Sequence, residues 1–422
     1  VITGIGLFTP LGRGVTEFFD AVCAGPSGLV RPSGDHPLAS TVDVAGIAPP
    51  LHADEVMAPR DGLFVDRYAL MAMAAANDAM VDAKLVVGQD VDPLRTSVVV
   101  STGGAGLETY ERQALSRHER GRARVSPYYL PGMLPNMAAA RIAIAHGIRG
   151  VTSCIATACA AGAQSVAEAL RIIRAGEADV VVCGGSDAPL HPTVALGFAN
   201  ARALATGWAD PAAASRPFDR ARNGFVLAEG AGVLVVERRE HAEARGVAGY
   251  ADLLGWGGSS DAHHPTTPRP DGEGAMECMR RTLIDAGLAP GDVGYVNAHG
   301  TSTKLGDAAE ATAIRAVFGD AAPAVSATKS VTGHMLGGAG AIEAAVTAIA
   351  IAAGTLPPTH NLADPDPACD LDHVRGRARH DDVSAAMSNS FGFGGHNISL
   401  LFGRISGDSR MERFTRKGAA AP

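Results

Sequence analysis

Along the chain, short apolar runs alternate with longer Ala-rich stretches, and the two kinds of stretch differ in period. Val98–Ser101, Val180–Cys183 and Val233–Glu237 are nearly continuous in apolar residues, the pattern of strands covered on both faces. Val1–Thr3 and Thr152–Ile155 complete the strands predicted for the first half, with helices at Tyr68–Ala83 and Gly162–Ala175 between them. The second half predicts a strand at Tyr250–Trp256, a helix at Gly274–Ala286 and a strand at Tyr295–Asn297. A helix at Ala308–Phe318, a strand at Ala324–Ala327, a helix at Gly340–Ala353 and strands at Ala385–Ser388 and Ile398–Phe402 follow. This alternation predicts an α/β fold with crossover helices. The element order repeats, which predicts a duplication of two units, residues 1–247 and 248–405; one large α/β domain is the plainer alternative. Asp210–Asn223, rich in Pro and charge, is expected as a surface excursion, and residues 406–422 as a flexible tail.

Composition narrows the class. At 422 residues and 46% hydrophobic, the chain can bury a large core and is not a disordered protein. Aromatics make up only 5% while glycines number 51, a bias that suits close packing of helices on sheets. The net charge of −8 argues against a nucleic-acid partner. Six cysteines in a chain of this size do not form a disulfide framework and are expected as reduced, cytoplasmic thiols. The longest apolar stretch, Ala339–Ala353, contains Glu343 and falls short of the ~20 residues a membrane helix needs, so no membrane association is expected. The opening Val1-Ile2-Thr3-Gly4 lacks a basic flank and reads as a first strand.

Candidate chemistry lies where predicted strands end. In Ile155-Ala156-Thr157-Ala158-Cys159-Ala160-Ala161-Gly162, an apolar strand passes through a small-residue turn into a helix, with Cys159 at the turn. Unpaired N–H groups of a helix start lower the pKa of a thiol there, so an acidic nucleophile is expected. Cys154 and Cys183 are expected as structural residues. His299 follows the strand before Gly300-Thr301-Ser302-Thr303, and His334 follows the next one in Lys329-Ser330-Val331-Thr332-Gly333-His334. Two imidazoles at strand C-terminal ends, where open α/β sheets build sites, are more than solvated histidines. Two Gly-rich segments do not read as nucleotide sites: Thr102-Gly103-Gly104-Ala105-Gly106 lacks the Lys-Ser/Thr of a phosphate loop, and Phe391-Gly392-Phe393-Gly394-Gly395 lies between strands. His263-His264 has no further ligand at useful spacing, so no metal is expected.

These segments, with Ala214-Ser215-Arg216-Pro217-Phe218-Asp219 and Asn389-Ser390 ahead of the last glycine loop, resemble the β-ketoacyl-acyl-carrier-protein synthases of the type II chain-elongating class, in the thiolase superfamily. The resemblance covers nearly everything from Val1 to Arg404. It implies a five-layered αβαβα thiolase-like sandwich and decarboxylative Claisen condensation, with Cys159 as acylated nucleophile and His299 and His334 as catalytic imidazoles. It further implies Lys329 and Glu343 as supporting groups, backbone N–H groups of Cys159 and Phe393 as oxyanion hole, and Thr301 and Thr303 as pantetheine ligands. No cofactor is implied on the enzyme, since phosphopantetheine arrives on the acyl carrier protein. The implied assembly is a dimer, with an identical subunit or a chain-length-factor-like homologue.

Departures from the family pattern carry information. Gly104 stands where a branched apolar residue is common, and Tyr128-Tyr129 where a Phe pair is, so Gly104, Tyr129, Phe391 and Phe393 are expected around a wide acyl pocket with Phe393 as its gate. Arg60, Arg67 and Arg202 are the docking cations expected for an acidic carrier protein, Lys304 replaces a frequent Pro, and His396 after the last Gly pair is a further difference. The balance leans towards type II polyketide synthesis, with fatty-acid elongation as the alternative. A degradative thiolase would want a second Cys in the C-terminal glycine loop, and a non-catalytic chain-length factor would lack Cys159.

Overall fold

Each half of the chain forms one large sheet, beside a minor two-stranded one, in a computed structural model that describes residues 1–58 and 65–405. The first sheet contains β1 (Ile2–Thr9), β2 (Gly12–Arg13), β3 (Thr96–Ser101), β4 (Thr152–Ser153), β5 (Val180–Asp187) and β6 (Gly230–Glu237). The second contains β7 (Asp252–Ser260), β8 (Tyr295–Asn297), β9 (Ala324–Ser326), β10 (Ala385–Gly392) and β11 (His396–Gly403). Their orders are β2-β1-β6-β5-β3-β4 and β9-β8-β10-β11-β7. With β2 set aside, β1, β3, β4, β5 and β6 correspond in turn to β7 through β11. Pairing directions agree as well: β4·β3 and β3·β5 are parallel like β9·β8 and β8·β10, and β5·β6 and β6·β1 antiparallel like β10·β11 and β11·β7. The topology is a duplication.

Helices cover both faces of both sheets, which is why the strands read as continuous apolar runs. Val98, Val100, Val182, Val233 and Val235 share an outer core with α1 (Arg67–Asp82). Their alternates Val99, Val181, Leu234 and Val236 point into a central layer made by α3 (Ala161–Arg174) and α6 (Ala339–Ala353). That layer also receives Tyr295, Ala386, Leu400 and Phe402 of the second sheet, while Val296, Val325, Met387 and Leu401 face α4 (Glu273–Ala286) and α5 (Lys304–Phe318). The result is a thiolase-like αβαβα sandwich. The helix α2 (Leu107–Arg120), absent from the sequence expectation, buries only Thr109, so it has no apolar stripe to read.

Two expectations need correction. A 3₁₀ turn, Leu336–Gly338, runs straight into α6, so the segment Leu336–Ala353 is long and apolar enough by composition to cross a membrane. It is the central core helix, 94% buried within the fold, and is apolar all round because protein surrounds it. Asp210–Asn223 is not a surface excursion: Ala214, Ser215, Phe218, Asp219 and Arg222 are buried. Arg222 is tolerated inside because its guanidinium pairs with Asp307 and Asp366 and donates to the carbonyls of Asp219, Thr303 and Lys304. Arg60 and residues 406–422 lie outside the described residues.

The central helices approach too closely for side chains at their crossing. A Cβ on Gly162 would lie 2.6 Å from the Gly337 carbonyl oxygen and 2.9 Å from the Ala341 nitrogen, both backbone atoms. Gly162→Ala is expected to lower stability by about 1–3 kcal/mol, the cost of overpacking a rigid core, read as a shift of the urea midpoint; an unchanged midpoint refutes the tight crossing.

Candidate active site

Cys159, the expected nucleophile, follows β4. The strand's exit passes through a 3₁₀ turn, Ala158–Ala160, into α3, so Cys159 sits at a helix start as the sequence predicts. Ala158 takes a left-handed φ of 49°, an uncommon conformation for a residue with a Cβ, and this kink redirects the chain just ahead of Cys159. The end of β10 presses on the same turn: a Cβ on Gly392 would lie 2.6 Å from the Thr157 carbonyl oxygen and 3.2 Å from the Cys159 nitrogen. The expected acidity is not found. Burial pushes the Cys159 thiol up to about 11, against the opposing effects of Lys329 and the backbone N–H groups of Phe393 and Cys159. The resting sulfur is a thiol.

His299 follows β8 and His334 follows β9, so both come from the second half while Cys159 comes from the first. Their rings meet edge to face, with centroids 5.4 Å apart. Phe225 packs edge-on to His334 at 5.4 Å, and Phe391 lies 5.8 Å from His299. The loop carrying His299 is gripped by buried carboxylates from the first turns of α5. Glu310 accepts from the His299 and Gly300 N–H groups at 2.8 Å each, and Asp307 accepts from Ser302 N–H at 3.1 Å. Burial raises Asp307 to about 7 against the pull of Arg222 and also raises Glu310. Neither residue was singled out in the sequence, although a Glu amid Ala309, Ala311 and Ala313 on a buried face is the same signal that marked Glu343.

Lys329 is 1% exposed beneath the histidines. Its Nζ donates to the His299 carbonyl at 2.7 Å, lies 3.5 Å from His299 Nδ1, and pairs with Glu343 of α6. An ammonium has only donors, so Nδ1 of His299 is the acceptor and its proton sits on Nε2. Burial, with Lys329 adding to it, holds both imidazoles well below 6.5, hence uncharged. Burial also raises Glu343 to about 7 despite Lys329.

Cys159, His299, His334, Thr301, Thr303, Phe391 and Phe393 all line one cavity of about 380 Å³. The Thr301 and Thr303 hydroxyls are 3.0 Å apart. Phe393 is 39% exposed at the tip of the β10–β11 hairpin, 6.1 Å from Phe198. Gly394 and Gly395, at φ 87° and 73°, make that tight turn possible. Gly104 and Tyr129 do not line the cavity, contrary to expectation. The buried Asp187 carboxylate accepts from the N–H groups of Gly103, Gly104 and Gly337, so the Gly104 turn is drawn inward and its open face meets Leu107. Arg202 lines the cavity, exposed. Arg67 is not a free docking cation, because its guanidinium is bound to Glu229 and to the Ala48 and Pro49 carbonyls.

A thiol and two uncharged imidazoles facing one cavity fit thioester chemistry, and the comparisons with known proteins agree. The pattern of the family described as "Beta-ketoacyl synthase, N-terminal domain" matches residues 1–242, and "Beta-ketoacyl synthase, C-terminal domain" matches residues 250–363. The chain belongs to the β-ketoacyl synthase family. It is therefore a condensing enzyme of the acyltransferase class. It is 41% identical over 404 residues to a "3-oxoacyl-[acyl-carrier-protein] synthase 2" of Synechocystis, covering 95% of this chain and 97% of that one. A protein of the same name from Staphylococcus aureus is 40% identical over 404 residues, covering 95% of this chain and 100% of that one. Among solved structures, a ketosynthase in complex with its type II polyketide acyl-carrier protein superposes with TM-score 0.89 at 32% identity, covering 96% of this chain and 99% of that one. The ishigamide ketosynthase/chain length factor does so with TM-score 0.89 at 34% identity and the same coverage.

The uncharged imidazoles make stability pH-dependent. Below about 6.5 each histidine binds a proton in the unfolded chain and not in the native one, so stability is present above that value and is lost as pH falls. The raised Asp307 and Glu343 tilt the curve the other way, so the difference between wild type and His334→Asn isolates one imidazole. That difference is expected to fall by about 1.4 kcal/mol per pH unit between pH 6.5 and 5 in urea titrations. A pH-independent difference contradicts a neutral His334.

Proposed function

We propose that the chain joins an acyl group held on Cys159 to a malonyl unit on an acyl carrier protein by decarboxylative Claisen condensation, lengthening the acyl chain by two carbons. The observation that carries this reading is the convergence of one buried thiol and two neutral imidazoles on a single cavity. In the first step the thiol attacks the carrier-bound thioester, and its proton leaves on the departing pantetheine sulfur. No net charge is created, which suits a sulfur whose ionised form is penalised by burial. In the second step the malonyl thioester loses CO2, and the electron pair of the broken bond becomes an enolate. In this reading Nε2–H of His299, whose other ring nitrogen faces Lys329, and the imidazole of His334 donate to the enolate oxygen, and being neutral they need no proton transfer to do so. The enolate carbon then attacks the Cys159 thioester. The N–H groups of Phe393 and Cys159, both of which act on the sulfur, face the oxyanion of that addition. Collapse returns the sulfur as thiolate, which takes up a proton.

Thr301 and Thr303 are assigned to the pantetheine arm and Arg202 to carrier docking, while the enzyme itself holds no cofactor. The reading includes a dimer, with an identical subunit or a chain-length-factor-like homologue. Leu107, Tyr110, Tyr128 and Leu130 remain exposed, and the rings of Tyr110 and Tyr129 lie tilted to each other with centroids 6.5 Å apart. It also includes a cytoplasmic location, in keeping with six unpaired cysteines. For the pathway, type II polyketide synthesis is proposed, supported by the close superposition on a ketosynthase bound to its type II polyketide acyl-carrier protein and on the ishigamide ketosynthase/chain length factor. Fatty-acid elongation is the second reading, favoured by the higher identity to the curated relatives.

Incubation with acyl carrier protein is expected to add one acyl mass to wild type and none to Cys159→Ala. His334→Ala is expected to be acylated but to condense about 100–1000-fold more slowly, the loss typical of one oxyanion donor. Acylation of Cys159→Ala would refute the assignment. With malonyl carrier protein and the cognate partner subunit, successive unreduced two-carbon additions support polyketide synthesis. A single addition to saturated long chains supports the second reading.

A further inference from the structure

Three basic side chains, Arg202, Arg269 and Lys304, stand where the Cys159 cavity opens. Arg269 is neutralised by Asp271 and Glu273. Lys304 and Arg202 are exposed and, among the described residues, neither side chain is held in an ion pair or hydrogen bond. The carboxylates that line the cavity are committed inward. Asp261 accepts from Asn397 Nδ2 at 2.7 Å and from the Arg269 N–H, and Glu310 holds the His299 loop. The mouth therefore carries uncompensated positive charge on a chain whose net charge is −8. Lys304 opens α5 immediately after Thr303, so a charged rung stands next to the uncharged polar rungs Thr301 and Thr303 that lead inward.

A carrier-borne thioester crosses this mouth on an arm that has neutral amides along its length and one phosphodiester at its outer end. We propose that Lys304, together with Arg202, binds that phosphodiester, so that affinity for the arm is set partly at the mouth. This rests on the condensing reading above. An ammonium and a guanidinium both form short charge-assisted bonds to phosphate oxygens, and the exposure of both residues makes the attraction sensitive to salt.

The test uses acyl thioesters of phosphopantetheine and of pantetheine, without carrier protein, and reads the second-order rate of Cys159 acylation by intact mass. Wild type is expected to prefer the phosphorylated thioester by about tenfold or more, and the preference shrinks as salt rises. Lys304→Ala should reduce that preference severalfold to about tenfold, Lys304→Glu should abolish or invert it, and Lys304→Arg should retain it. Lys304 is exposed, so these variants leave the core intact. Wild type that takes both thioesters with no preference, or a preference undiminished in Lys304→Ala and Lys304→Glu, overturns the phosphate site while leaving the condensing reading standing. Wild type that takes neither thioester, even at high concentration, overturns both.

Discussion

A buried ammonium group organises this molecule. Lys329 is withdrawn from water at a cost of several kcal/mol, and its stabilisation depends on partners that two other segments deliver to it. Glu343 comes from the central helix, the His299 carbonyl and Nδ1 from the loop after β8, and Lys329 itself from the segment after β9. None of these segments can drift without leaving a charge unpaired in the interior. The same group sets the proton of His299 on Nε2 and helps keep both imidazoles neutral. Structural rigidity and chemical poise thus have one source.

Around that point, the backbone does much of the positioning. Glu310 and Asp307 grip the N–H groups of the His299–Ser302 loop, and Asp187 grips those of the Gly103–Gly104 and Gly337 turns. Each is a carboxylate surrounded by donors in a low-dielectric interior, where such bonds are strong and their loss costly. In the duplicated topology the Gly103–Gly104 turn after β3 is the counterpart of the His299 loop after β8, and the Cys159 turn after β4 is the counterpart of the His334 segment after β9. One pair of corresponding loops supplies a brace and an imidazole, the other a sulfur and an imidazole.

Local pattern carried most of the framework. The predicted Tyr68–Ala83 helix is observed as Arg67–Asp82 and the Tyr295–Asn297 strand to the residue, because both are buried along faces whose period is plain. The helix Leu107–Arg120 was illegible because it hides almost nothing from water. Position at strand ends made Cys159, His299 and His334 legible. The ionisation of Cys159 was not, since a local helix-end effect is outweighed by burial that Leu336 and the β10–β11 hairpin bring from distant sequence. Arg67 and Arg222 teach the same lesson for charge: a cation in a polar stretch reads as solvated, and only tertiary contacts reveal carboxylates reserved for it.

The split of the site between repeats has an evolutionary corollary. With the sulfur on one copy of the ancestral unit and the imidazoles on the other, chemistry and architecture can be lost separately. A descendant could replace Cys159 with a residue of similar volume, keep every strand pairing and helix crossing, and persist as an inert scaffold beside an active sister. Neither unit by itself carries both the Cys159 sulfur and the two imidazoles that share its cavity, so the cavity needs both units to be complete.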